Sequence, residues 1–396
     1  MTLPSLHRAM VGFLCAFLGV LPFTSSVALR NVALTAAALC GLAWLWRRRA
    51  AWRAHFPAAR LLLPIACWSA WSIASVGWSV DPAYSLSELR PGLLPTFGAF
   101  LLFFAATEDY TVVDAWALAL AAGLAVLALA AIGQQAVNGS WDAERWHVDR
   151  GYYSTHVVLA LPMLGWLWLR QRSRAAHAVL VAIALGTLLV TFWTDNRIVW
   201  VALALMAAFA ASVSIRHGTP LQRRWVARVA MVAVGALAAL FIAAIQQRHE
   251  IQAQPELVDD PRLEIWGFAV ERIAERPWVG HGYGRGILRD ALRGISEGPQ
   301  KSLHWHAHNL FLGVALQLGL VGLALFLWMW IAIARELLRG LACAPPHRWA
   351  GALGITLLMG FAVKNLTDDF LVRHLALLAW ALLGALLGAL RGAPRG

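Results

Sequence analysis

The chain has 396 residues, 60% of them hydrophobic and 14% charged, with a formal net charge of +12. That balance, carried in long runs of Leu, Ala, Val and Trp, excludes a soluble domain with a large core and indicates a polytopic membrane protein. The basic residues are scattered between apolar runs and form no aromatic-interleaved basic domain, so they exclude nucleic acid as a partner and read as a membrane orientation signal.

Windows of about 20 apolar residues, enough to cross a ~30 Å hydrocarbon core, predict an all-α integral membrane protein with about twelve transmembrane helices. The spans centre on residues 9–23, 30–46, 59–76, 91–106, 112–133, 154–169, 178–194, 198–215, 229–245, 309–334, 350–366 and 370–390. Arginines collect after the second span (Arg47, Arg48, Arg49, Arg53, Arg60), the sixth (Arg170, Arg172, Arg174), the eighth (Arg216, Arg223, Arg224, Arg228) and the tenth (Arg335, Arg339, Arg348), and again in the tail (Arg391, Arg395). All lie on one side of an even alternation, so the positive-inside rule places both termini in the cytoplasm. An alternative for the first span is a signal peptide, with Arg8 before the apolar run and small residues around Ser25 to Ala28; the later spans keep their orientation either way. Cys15, Cys40, Cys67 and Cys343 lie in or beside apolar segments without a CxxC pair and read as packing residues.

The chain thus divides into spans one to nine (1–245), a large polar loop (246–307), and spans ten to twelve with the C-terminal tail (308–396). The polar substance falls on the non-cytoplasmic side: a turn from Asp81 to Pro91 that carries Arg90, the loop Gln134 to Tyr153, the tight turn Asp195-Asn196-Arg197, the large loop, and the turn Asn365 to Asp369. In the large loop, Asp260-Pro261 reads as a helix start, with a carboxylate N-cap and Pro at the first helical position. The helix runs to Pro277, with Arg262, Trp266, Ala269 and Ile273 on one face and Glu264, Glu271 and Glu275 elsewhere. A cation in a first helical turn opposes the helix dipole but, with the free amides there, suits an anion. The following Gly280-His281-Gly282-Tyr283-Gly284-Arg285-Gly286 suggests a phosphate loop by its alternate glycines; without a strand before it, a plain irregular turn is the better reading.

The loop closes on Leu303-His304-Trp305-His306-Ala307-His308-Asn309, where the tenth span begins. An ionisable ring at the lip of a span is costly to desolvate and marks a functional position, although interfacial His and Trp also occur because their rings tolerate both phases. His304, His306 and His308 would gather on a zinc ion only in an extended strand, and no Cys or carboxylate stands in the same run; no metal or other cofactor is expected.

His308-Asn309, nine residues, Gly319, two residues and Gly322 resemble the signature of bacterial O-antigen ligases and the wider O-antigen ligase/polymerase superfamily. The segment from Arg262-Leu263-Glu264-Ile265-Trp266 to Pro277-Trp278-Val279-Gly280-His281-Gly282 resembles that superfamily's large periplasmic loop, and Arg197 its arginine at a periplasmic helix turn. The resemblance implies a metal-independent GT-C-type glycosyltransferase of the inner membrane. It would move O-antigen polysaccharide from an undecaprenyl-diphosphate donor to a lipid A-core acceptor on the periplasmic face, among membrane lipids. By position it implies His308 as general base and Arg262 and Arg197 as diphosphate ligands. Arg90 is a further candidate for the diphosphate, and Asn309, His306, Asp368 and Asp369 for acceptor binding or support.

The chemistry agrees with those residue types. A sugar hydroxyl attacking an anomeric carbon must lose its proton, and a neutral imidazole suits that role near neutral pH. The departing diphosphate needs its growing charge held, which planar guanidinium groups do in bidentate fashion. No nucleophilic residue is required, so direct displacement with inversion is expected. An O-antigen polymerase or a protein O-oligosaccharyltransferase would use the same groups. A lipid-linked glycan transporter should instead show ionisable groups near mid-span and broken, repeated helices, whereas these spans read as mostly clean.

Overall fold

The computed structural model describes residues 2–142, 150–217, 261–290 and 306–391, with isolated positions between 218 and 260. The described residues are helical without strands. In chain order the helices are α1 (Leu3–Val20), α2 (Val27–Arg47), α3 (Ala59–Ala74), α4 (Pro82–Ala106), α5 (Tyr110–Asn138), α6 (Arg150–Arg170), α7 (Arg174–Phe192) and α8 (Ile198–His217). They continue with α9 (Pro261–Glu275), α10 (Leu310–Leu341), α11 (His347–Lys364) and α12 (Arg373–Ala389). Eight helical segments among the described residues are long and apolar enough to cross a membrane, which makes this a multi-pass membrane protein. The predicted spans other than the ninth fall on helices, with α6, α11 and the 17-residue α12 more polar or shorter than those eight. The predicted span at 229–245, His304 and Asp260 lie outside the described residues.

Every residue from His374 to Ala389 is buried, so α12 is the middle of the bundle, as a helix apolar all round must be. It packs mainly on α4. Glycine makes that close approach possible: a Cβ on Gly384 would lie 2.4 Å from the Phe100 carbonyl oxygen, and one on Gly388 2.9 Å from that of Phe104. Around this pair, α1 packs on α2 and α5, α10 on α3 and α11, and α11 on α6 and α8. Val32, Leu39, Leu118 and Leu129 point outward, an apolar exterior that hydrocarbon would cover.

The bundle has two chemically distinct ends. At one, Arg60 pairs with Glu336 at 2.8 Å, Arg170 with Asp114 at 2.9 Å, and Arg48 with Glu108. Arg391 there donates to the last carbonyls of α4, including Phe104 at 2.9 Å. The other end carries the turn before α8, the loop after α11 and the segments flanking α9 and α10. Among the described residues, the ion pairs Arg60–Glu336 and Arg170–Asp114 thus lie at the opposite end from the cluster of His308 and Asp368.

One expectation is corrected here. Pro91 does not open the fourth span: α4 starts at Pro82, capped by Asp81, whose carboxylate accepts from the Tyr84 amide at 2.9 Å, and runs through Pro91 and Pro95. Proline inside a helix is tolerated where neighbours re-satisfy the freed backbone groups. Arg90 is therefore an exposed residue of α4 and not part of a turn.

A second correction concerns α10, which is not a clean span. At Gly319 the backbone takes φ 69°, ψ −176°, a conformation only glycine adopts readily, and the helical ladder breaks. The glycine-rich segment after α9 fills the break. His281 and Gly282 donate their amides to the carbonyls of Leu316 (3.0 Å) and Gln317 (2.8 Å), and Leu320 donates to the carbonyl of Pro277 (2.7 Å). The crossing is so tight that a Cβ on Gly280 would lie 2.5 Å from the Gln317 carbonyl, and one on Gly319 2.3 Å from that of Trp278. The spacing from His308 to Gly319 is thus the distance from the mouth of α10 to the point where the loop crosses it.

Candidate active site

Asn309 sets the start of α10. Its Oδ1 accepts from the amides of Phe311 (2.9 Å) and Leu312 (3.1 Å), satisfying groups that a helix start leaves open. Its Nδ2 donates to the Leu366 carbonyl at 3.0 Å, and the Leu310 amide donates to the Asn365 carbonyl at 3.0 Å. Asn365 in turn folds the loop after α11, accepting from the Phe370 amide at 2.7 Å and donating to the Phe361 carbonyl at 2.7 Å. Asn309 is therefore a brace between two loops.

That brace brings His308 against Asp368. His308 has φ 44°, an uncommon left-handed conformation for a residue with a Cβ, and its amide donates to Nδ1 of His306 at 2.9 Å. The imidazole Nδ1 of His308 lies 3.3 Å from Asp368 Oδ1, and the His306 ring lies against it with centroids 4.0 Å apart. His306 Nε2 is 3.5 Å from the same Asp368 oxygen.

The centre of the cluster is a residue that sequence reasoning passed over. Arg285 is delivered by the glycine-rich segment and reaches Asp368 Oδ1 at 3.4 Å, Asp369 Oδ2 at 3.5 Å and the Tyr152 hydroxyl at 3.3 Å, with Nη2 also against His306 Nε2. The segment is an irregular turn, as read from the sequence, and its amides are already engaged. Besides those of His281 and Gly282, the Tyr283 amide donates to Ser75 Oγ (3.0 Å), that of Gly284 to Gln317 Oε1 (2.9 Å) and that of Gly286 to the Tyr84 hydroxyl (2.9 Å). It holds an arginine in place and is not a phosphate cradle. The signal for Arg285 was a cation set between glycines in a turn that only glycines can make.

The electrostatics separate the two neighbouring carboxyls. Burial would raise the pKa of Asp368, but the hydrogen bond with His308 and the charge of Arg285 outweigh it and hold the group well below the usual carboxylate range. Asp369 is raised by burial and by the charge of Asp368, against the pull of Arg285. Burial and the charge of Arg285 push the His306 imidazole down to about 2, so it stays neutral; Arg262 is near enough to add to that effect. Arg285 stays charged, because the neighbouring carboxylates and Tyr152 outweigh its burial.

His306, His308 and Asp368 offer ligand atoms within 4.8 Å of one another, a donor set fit for a divalent cation. The carboxylate that the histidine run lacks arrives from the loop after α11. Arg285 already faces both His306 and that carboxylate, so a metal would have to share the site with a fixed guanidinium.

Arg262 lies in the first turn of α9, with Ile265 and Ala269 buried on the packed side against α10 and Glu264, Glu271 and Glu275 exposed, as the periodicity predicts. Arg197 precedes α8 in the tight turn; its Nε is buried without a hydrogen-bond partner among the described residues. Asn196 beside it accepts from the Lys364 ammonium at 2.7 Å, at the end of α11 and next to Asn365. Arg90 is exposed on α4. An apolar groove of about 360 Å³ between α10 and α11 begins at Leu310 and Asn365 and runs past Phe311, Phe326, Trp330 and Met359.

Fold and site together define a multi-pass helical membrane protein whose titratable groups converge at one end of the bundle. Residues 182–327 match the family model described as O-antigen ligase, the family that the His308 to Gly322 pattern resembles. The matched stretch includes Arg197, Arg262, Arg285, His308, Gly319 and Gly322, and stops short of Lys364, Asp368 and Asp369. No curated protein matches the chain.

Proposed function

We propose that this protein is an O-antigen ligase with its site on the periplasmic face of the inner membrane and both termini in the cytoplasm. It transfers polysaccharide from undecaprenyl diphosphate to lipid A-core. The observation that carries the reading is the 3.3 Å pairing of His308 Nδ1 with Asp368 at the mouth of α10. An imidazole held this way turns Nε2 away from the carboxylate and toward substrate, and Asp368 stabilises the imidazolium that forms when a proton arrives.

In the reaction, an acceptor hydroxyl oxygen bonds to the anomeric carbon of the donor's first sugar. The bond from that carbon to the diphosphate oxygen breaks, with inversion. His308 takes the hydroxyl proton and the diphosphate leaves with the electron pair. Arg197 and Arg262 hold that developing charge; a bound anion would also satisfy the buried Nε of Arg197. Arg285 keeps Asp368 ionised and fixed. The apolar groove beside the site suits the hydrocarbon of a lipid-linked donor.

The break in α10 is the one feature that favours transport. Its backbone groups pair with the loop after α9, and the charged cluster lies at the bundle end, which supports catalysis. The test is lipopolysaccharide gel profiling of a deletion strain carrying the wild-type or His308→Ala gene. Long-chain bands restored by wild type alone are expected. Core bearing a single repeat in the deletion strain would mean polymerase, and an unchanged profile would remove the reading.

A further inference from the structure

The chain uses arginine for 31 of its 33 basic residues; the two lysines are Lys301 and Lys364. Lys364 ends α11 with 0% of its surface exposed. A buried ammonium in a membrane bundle costs several kcal/mol of desolvation unless its environment repays it, so such a residue marks a specific role. Its Nζ donates to Ser154 Oγ of α6 at 2.9 Å and to Asn196 Oδ1 at 2.7 Å, and sits 4.8 Å from the centre of the Phe370 ring. Both oxygens are neutral. The ammonium therefore ties together α6, the turn before α8, and the loop that carries Asp368.

The turn it grips is short and strained: Asp195 has φ 52°, and the carbonyls of Asn196 and Arg197 accept the amides of Val199 (3.3 Å) and Trp200 (3.1 Å) that open α8. Whatever fixes Asn196 also fixes the origin and direction of the Arg197 side chain one residue on. A point-like ammonium with three donors fits this three-way junction. A planar guanidinium, longer and needing in-plane partners, does not, which explains a lysine in a chain that otherwise prefers arginine.

We infer that Lys364 is a positioning residue: through Asn196 it holds the Arg197 guanidinium in line for the donor diphosphate, in register with His308 on the neighbouring loop. The inference rests on the diphosphate role of Arg197 proposed above.

The test uses the full chain in lipid nanodiscs and measures donor KM and kcat, the binding of undecaprenyl diphosphate, and melting temperature. The variants are Lys364→Met, Lys364→Arg, Asn196→Ala, Arg197→Ala and the Lys364→Met/Arg197→Ala pair. Lys364→Met and Asn196→Ala should each weaken undecaprenyl diphosphate binding about tenfold, the scale of one hydrogen bond to a charged group. Donor KM should rise in step while kcat changes less. Lys364→Arg should not rescue, and the double variant should bind no more weakly than Arg197→Ala alone, because the lysine acts through that arginine. Asn196→Ala removes only a partly buried amide, so it serves where Lys364→Met folds poorly. Multiplying losses in the double variant, or unchanged binding in Asn196→Ala and in well-folded Lys364→Met while Arg197→Ala binds weakly, would overturn the inference. Undiminished binding by Arg197→Ala would instead remove the diphosphate assignment on which it stands.

Discussion

Replacing Asp368 with Asn removes the charge behind His308 with little change of shape, and an amide oxygen can still accept the Asp369 amide that Asp368 Oδ1 now accepts at 2.7 Å. At the 3.3 Å separation of Asp368 and His308, an imidazolium and a carboxylate attract by about 5 kcal/mol at an effective dielectric near 20. The carboxylate is about a quarter exposed, so solvent and salt reduce this to about 2 to 3 kcal/mol. The attraction exists only once His308 has taken the proton, and so belongs to the transition state. Asp368→Asn should therefore lower kcat about 30- to 160-fold while donor KM stays within about threefold. The assay is transfer of lipid-linked polysaccharide to lipid A-core by purified protein in nanodiscs, followed by gel shift at saturating donor. A variant with wild-type melting temperature and kcat within about twofold of wild type would refute the pairing of His308 with Asp368 as a working unit.

Arg285→Met leaves Asp368 and Asp369 side by side without their shared cation; transfer should fall at least tenfold and the melting temperature should drop, whereas Arg285→Lys recovers charge without the fork and should restore only part of the rate. Equal activity of all three proteins would refute its central place. Gly319→Ala forces a Cβ to within 2.3 Å of the Trp278 carbonyl at a φ of 69°, and should cost about 3 kcal/mol or more, read as a lowered melting temperature and poor expression. A variant that melts with wild type would contradict the crossing of loop and helix. His306, held neutral with its pKa lowered from 6.5 to about 2, binds fewer protons folded than unfolded between those values. Its contribution to stability is therefore present above about pH 6.5 and declines as the pH falls. Melting temperature should fall from pH 7 to pH 5 in wild type and less so in His306→Gln; parallel curves would count against a neutral, buried His306.

Much of the architecture was legible because lipid permits so few backbone solutions. The apolar runs and the Pro261 start of α9 follow from desolvation and end effects that act locally. The fourth span was misjudged for a local reason too: Pro91 stops a helix in water but not in a packed bundle. The site was half legible. His308, Arg197, Asp368 and Asp369 announce themselves as ionisable groups at span ends, and Arg262 as a cation in the first turn of a loop helix. Arg285 does not, because its place is set by a loop that closes a break in α10, and that break depends on Gly280 and Gly319 meeting across 39 residues of chain. Lys364 was hidden inside an apolar window, although its rarity in an arginine-rich chain was visible in the composition.

The central claim is that His308 removes the acceptor proton while the arginines hold the carrier. The most direct measurement pairs two readouts on purified His308→Ala in nanodiscs: binding of undecaprenyl diphosphate, and transfer of the lipid-linked polysaccharide to lipid A-core. Binding within about twofold of wild type with transfer reduced at least a hundredfold is the expected result, on the scale that loss of a general base commands. Undiminished transfer by a well-folded His308→Ala protein would contradict the account.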